Sequence, residues 1–196
     1  MIEKTFFPNS RNTQYWSTSP YTDNADYAWY ANFNDGKINS ADRFHQYAAR
    51  LVHGTPYSVS TRYTTSADGQ EITDNKTQLV WRRCSEGLIW NGITCAGTLT
   101  YFNHESALSY AASEASKTSK AWRLPNIKEL SSISDIARNP DPAIDTSIFP
   151  GTISERYWSS SAYLTNPTYA WYVDFFDGYV NYGLRTSNFA LRLVRN

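Results

Sequence analysis

"YWSSSAYLTNPTYAWYVDFFDG", residues 157–178, decides how this chain is read, because "YWSTSPYTDNADYAWYANFNDG", residues 15–36, nearly repeats it. Residues 7–53 align without a gap onto 149–195 at an offset of 142, and about 21 of the 47 pairs are identical. Phe7-Pro8 falls on Phe149-Pro150, Trp16 on Trp158, Trp29 on Trp171, Asp35-Gly36 on Asp177-Gly178, and Arg50-Leu51-Val52 on Arg192-Leu193-Val194. Self-similarity on this scale marks a duplicated structural unit. A long lead-in, from about Glu71 to Ile148, precedes the second copy and has almost no counterpart before the first. The expected organisation is therefore a β-rich partial repeat over 1–53, a linker over 54–70 and a complete unit over 71–196, with the chain opening partway through a unit.

Inside the repeat the period is that of strands. Trp171, Val173 and Phe175 alternate with Tyr172, Asp174 and Phe176; the first copy alternates Trp29, Ala31 and Phe33 with Tyr30, Asn32 and Asn34. One face is apolar in both copies and the other mixed, as a half-buried strand requires. Asp177-Gly178 then offers a hairpin turn, since glycine accepts positive φ. A final strand is expected from Phe189 to Arg195, with Leu191 and Leu193 on one side and Arg192 on the other. Trp16, Trp29, Trp158 and Trp171 read as core. Arg50 and Arg192, set in apolar segments, read as structural ion-pair members, with Asp35 and Asp177 as candidate partners.

Composition limits the function. The 196 residues balance 18 Lys and Arg against 18 Asp and Glu, which removes the basic footprint that nucleic acid demands. No window of about 18 apolar residues occurs, so membrane insertion is not expected. The first residues lack the pattern of a signal peptide. Tyr (15) and Trp (7) are abundant, the palette of a recognition surface that offers large contact area with a polar handle.

The lead-in supplies the helices. "GTPYSVSTRYTTSADGQ", 54–70, is polar and without a helical stripe. A turn at Asp74-Asn75 and a strand over Gln78–Arg83 follow. Cys84 and Cys95 lack the second pair of a structural zinc site. A short-loop disulfide is the favoured reading, worth ~2–3 kcal/mol by loop closure and implying an oxidising compartment. Two unlinked thiols are the alternative, and a catalytic thiol finds no His nearby in sequence. Asn103 can cap "HESALSYAASEAS", whose Ala107, Leu108, Ala111, Ala112 and Ala115 form an apolar stripe. Trp122 reads as core and Arg123 as a tie to carbonyls or a carboxylate. Asn126 and Glu129 make a capping box for a second helix that buries Ile127, Leu130, Ile133 and Ala137 and ends at Pro140 and Pro142.

The ordered set "DNKTQLVWRRC", the cysteine pair, "WRLPNIKEL", "IFP", "YWSSSAY", "AWYVDFFDG" and "RLVR" resembles the bacterial Lcl C-terminal domain family, named for a collagen-like surface adhesin. The resemblance spans about 71–196 in full, and 1–53 matches the family's second half. It implies an α+β, C-type-lectin-like fold: two helices, a small curved and mostly antiparallel sheet, and long ligand-bearing loops. It also implies a secreted, surface or periplasmic module that adheres to glycans, including sulfated polysaccharides, or to a cell-surface protein.

The copies diverge most after the Asp-Gly turn, "KINSADRFHQY" against "YVNYGLRTSNF", as a variable recognition loop on a constant scaffold would. Tyr179, Asn181, Tyr182, Arg185, Ser187 and Asn188, joined by Tyr163 and Tyr169, are the ligand candidates. Tyr rings stack on sugar faces, Asn and Ser exchange hydrogen bonds with hydroxyls, and Arg grips sulfate or carboxylate. No cofactor is expected. Asp174 and Asp177, near Asn181, are weak calcium candidates, but the Glu-Pro-Asn and Trp-Asn-Asp signatures of calcium-dependent lectins are missing. His45, His53 and His104 share no metal-site spacing. Two other classes stand beside adhesion: a ligand-free structural tandem repeat, and an enzyme akin to the formylglycine-generating enzymes. For the enzyme no nucleophile–base spacing argues. Finally, the apolar residues Trp29, Phe33 and Leu51 of the partial repeat need cover. The complete unit or self-association with another chain would provide it.

Overall fold

A computed structural model describes residues 4–21, 23–53, 62–136 and 141–196. The first copy forms an antiparallel meander of β1 (Gln14–Pro20), β2 (Tyr27–Asn32) and β3 (Ile38–Asp42). A second meander follows, β4 (Tyr63–Thr65), β5 (Glu71–Asp74) and β6 (Leu79–Arg82), and then a small hairpin, β7 (Leu88–Trp90) and β8 (Cys95–Gly97). Two helices, α1 (His104–Thr118) and α2 (Ile127–Ser132), lead to β9 (Arg156–Ala162), β10 (Tyr169–Asp174), β11 (Val180–Leu184) and β12 (Val194–Arg195). The class is α+β with mostly antiparallel sheets.

The sheet content exceeds the small sheet expected. The strands of the two copies merge into one six-stranded sheet of order β1-β2-β3-β11-β10-β9, and a four-stranded sheet runs β12-β6-β5-β4. Of the linker expected over 54–70, residues 54–61 lie outside the described residues, and Tyr63–Thr65 already belong to a strand.

The strands of the second copy are covered on both faces, which corrects the expectation of one mixed face. Val173, Phe175, Val180 and Tyr157 pack with Trp81, Ile72 and the α2 residues Leu130 and Ile133. Trp158, Ala170 and Tyr172 turn the other way, against Ala107 and Ala111 of α1. Ala112, expected in that stripe, is exposed, and His104 is buried in its place at the head of α1. The Asn103 side chain accepts from the Ser106 amide, as a cap should.

The second helix is shorter than expected. Its capping box forms between Asn126 and Glu129, and Arg123 adds a bidentate contact to the Glu129 carboxylate at 2.8 and 2.9 Å. The helix stops at Ser132, because Ser131, Ser132 and Ser134 donate their hydroxyls to backbone carbonyls three residues back. Arg62 Nη2 donates to the Ser132 carbonyl at 2.8 Å and satisfies the frayed end. Ala137 and Pro140 lie outside the described residues.

Cys84 and Cys95 are joined in a disulfide with Cα atoms 5.6 Å apart. The final segment is not one continuous strand. Phe189 bridges Phe102, Ala190 bridges Tyr157, and only Val194–Arg195 pair as a strand, with β6. Residues 190–194 are all fully buried, including Arg192. Among the described residues Arg192 does not form the expected ion pair. Its guanidinium donates to the carbonyls of Arg82 (2.9 Å) and Arg83 and to the hydroxyls of Ser85 (3.1 Å) and Thr152 (2.6 Å). Burial pulls its pKa down to about 10, so the cation persists at neutral pH. Asp177 lies instead at the β10–β11 turn, where its carboxylate accepts from the Tyr179 amide.

Candidate functional site: an aromatic cluster beside the seam between the copies

The seam between the copies is a single antiparallel pairing of Ile38 with Val180. These are equivalent positions of the repeat, 142 residues apart. The junction therefore has local pseudo-two-fold character, and its side-chain contacts obey it. Lys37 Nζ sits 4.3 Å from the centre of the Tyr182 ring; at the equivalent positions with the copies exchanged, Tyr179 OH lies 2.7 Å from Ser40 Oγ. Tyr179 also packs edge-on against Trp29 at 5.0 Å. The turn that sets Tyr179 there needs Gly178, at φ 85°, where a Cβ would fall 2.5 Å from Ile136 Cγ2.

Three of the sequence candidates converge. Trp171 and Tyr182 are a registered pair on the face of the sheet that also carries Val173 and Val180. Period two carries that face on to the Tyr169–Leu184 pair. Tyr163 stacks on Tyr182 at 4.0 Å, Tyr169 meets Tyr182 edge-on at 5.6 Å, and Trp171 contacts both Tyr163 and Tyr182 at 5.6 Å. All four rings are half-buried. Lys37 completes the group from the first copy, a residue that sequence reasoning passed over. The sign of its involvement is tertiary: only the seam brings the first copy's turn beside Tyr182.

The remaining candidates lie elsewhere. Tyr179 belongs to the seam. Asn181 pairs with Tyr172 on the opposite face, and its side chain accepts from the Tyr182 amide. Arg185 clips the last loop to α1, with Nε donating to His104 Nδ1 at 3.2 Å and Nη2 reaching Glu105 at 3.4 Å. The Ser187 amide closes a turn on Leu184 O. Asn188 lines a separate hollow of about 360 Å³ with Arg156, Asp174 and the exposed Phe176.

The charged groups near the site are engaged. Asp174 pairs with Arg156 at 3.2 Å and accepts from the Phe176 amide. Burial pushes the Asp177 carboxyl up. Among the described residues no three His, Cys, Asp or Glu side chains are grouped to hold a metal. His104 donates from Nε2 to the Ser159 carbonyl while its Nδ1 receives the Arg185 bond, a neutral tautomer. Burial, with the Arg185 charge adding to it, holds its pKa below the ordinary value. No helix among the described residues is long and apolar enough to cross a membrane.

Chemically, the cluster offers aromatic edges and faces with one ammonium beside them, an arrangement suited to a ring with an apolar face and an anionic substituent. The profile of the Lcl C-terminal domain family matches residues 1–53 and 70–195, and the chain belongs to that family. No match was found among curated proteins or among solved structures.

Proposed function

We propose that this chain is an extracellular adhesion module that binds glycans, sulfated polysaccharides foremost, through the cluster of Tyr163, Tyr169, Trp171 and Tyr182 with Lys37. The observation that carries the reading is the convergence of these rings and one ammonium from two distant stretches of sequence. Tyr rings stack on pyranose faces, and the Lys37 ammonium supplies the charge for a sulfate or carboxylate. Membership of the Lcl family supports the adhesive role, as does the disulfide, which is compatible with an extracellular location. We read the complete unit as C-type-lectin-like, consistent with its two helices and antiparallel strands. The hollow at Asn188 is a secondary contact.

The test is a glycan array that includes sulfated polysaccharides, run with and without chelator, on the wild-type chain and on Tyr182→Ala and Lys37→Ala. Binding that both substitutions weaken, Lys37→Ala chiefly for sulfated ligands and at low salt, supports the proposal. Binding indifferent to both, or none to any glycan, defeats it. A second reading, a structural tandem repeat without a ligand, is favoured by the continuous sheet across the seam, which would stiffen a stalk. An empty array together with an intact seam would select it.

A further inference from the structure

The two copies present the same apolar positions in two conditions. In the second copy they are covered by residues 62–136 and 141–148: Phe149 and Val194 lie in the core toward α2 and the four-stranded sheet, Leu193 in the core toward α1, and all three are 0% exposed. Their equivalents Phe7, Leu51 and Val52 are 41%, 95% and 95% exposed. Apolar side chains left exposed where the equivalent unit buries them mark an interaction site. The first copy has nevertheless kept its half of the latch. Arg50 lies over the Phe7 ring at 4.8 Å and donates to Ser10 Oγ; Arg192 lies over Phe149 at 4.9 Å and donates to Thr152, the equivalent of Ser10. What Arg192 has in addition is the Arg82 and Arg83 carbonyls and the Ser85 hydroxyl, all from the covering half. The side that faces α1 in the second copy, to which Leu193 belongs, repeats the pattern. Trp16 and Tyr30 each pack on Tyr47, at 4.5 and 5.0 Å, the arrangement that Trp158, Tyr172 and Phe189 present to α1.

We propose that this open face is a docking surface for a polypeptide half-unit built like residues 62–148 of this chain and supplied by another repeat of the same family. Such a segment brings a carbonyl pair and hydroxyl to Arg50, a strand to the backbone at 52–53 and an alanine-striped helix to Trp16. The chain's own 62–148 stays on the second copy because that acceptor is fuller: Leu191 and Val173 stand where the first copy has Ala49 and Ala31. The proposal does not depend on the glycan reading, since it uses neither Tyr182 nor Lys37.

The test uses full-length chains and the observed register of Arg195 opposite Val80, whose equivalent is His53 opposite Val80. An acceptor chain carrying His53→Cys is mixed under mild oxidation with a donor carrying Val80→Cys, in which Phe149→Ala and Arg192→Ala release its 62–148 segment. A disulfide between positions 53 and 80, mapped by peptide mass spectrometry, is expected, and Leu51→Glu in the acceptor should lower its yield about tenfold. Arg195→Cys with Val80→Cys in one chain is the geometric control. If the donor does not fold, one chain carrying His53→Cys and Val80→Cys is refolded from denaturant. Its own two acceptors then compete, and Leu191→Ala should raise the 53–80 yield. A control that links while position 53 does not, a link indifferent to Leu51→Glu, or position 53 linking chiefly to itself would each overturn the proposal.

Discussion

Leu51 and Leu193 stand at equivalent places in the same repeated motif, yet one is 95% exposed and the other 0%. The difference lies not in the motif but in what has been laid over it. Strands β9–β11 lie between α1 on one face and α2 with the four-stranded sheet on the other, whereas β1–β3, which repeat the same strand pattern, meet the second copy among the described residues at the Ile38–Val180 seam and its flanking contacts from Tyr179 and Lys37. An alternating strand is a request for cover, and its local sequence does not say whether the request is met.

This contrast can be broken most sharply at the two arginines. Arg192→Ala removes the donor to four buried acceptors and should cost ~3–5 kcal/mol in chemical denaturation. Arg50→Ala should stay within ~0.5 kcal/mol. Equal costs would mean that the first copy is covered in solution. Next, Leu193→Ala should cost ~2–5 kcal/mol and Leu51→Ala again less than ~0.5; raising the cost of Leu51→Ala by adding a binding partner would show that the face had been filled. The seam comes third. Tyr179→Phe deletes the bond to Ser40 and should cost ~1 kcal/mol, accompanied by a change in tryptophan fluorescence from Trp29. No change in either measurement would mean that the copies do not meet there. The smallest effect is a slope with pH. His104 has a folded pKa below its ordinary 6.5, so its contribution to stability is complete above that pH and is lost as pH falls through the folded value. Thermal stability should therefore fall on acidification below pH 6.5, and His104→Gln should flatten that part of the profile. A wild-type profile flat in this range would contradict the buried neutral tautomer.

Local rules carried much of this fold. The capping box at Asn126 and Glu129, the cap at Asn103, the turns at Asp74-Asn75 and Asp177-Gly178 and the short disulfide loop each depend on a few neighbouring residues, and each formed. Errors arose where distant groups intervened. Arg62 and three serines ended α2 early. Arg192 took carbonyls from β6 and the residue after it in place of a carboxylate, because its segment is threaded beside them. Of the eight ligand candidates, Tyr163, Tyr169 and Tyr182 came together, Tyr179 went to the seam, and Arg185 went to α1. A turn can be recognised as variable from its letters, but what its side chains meet depends on a pairing partner 142 residues away.

By itself the sequence determined that one unit is written twice, where its strands alternate, how its helices begin and which family it belongs to, because those properties follow from short-range periodicity, capping and identity. Only the tertiary structure decided that Ile38 would meet Val180 and fuse the copies into one sheet, and that Lys37 would sit over Tyr182. It alone decided that the helices and the four-stranded sheet would cover the second copy while Leu51 and Val52 of the first stayed exposed. Edge pairing and burial are contests between surfaces far apart in the chain, and the better-filled surface wins by the apolar area it removes from water.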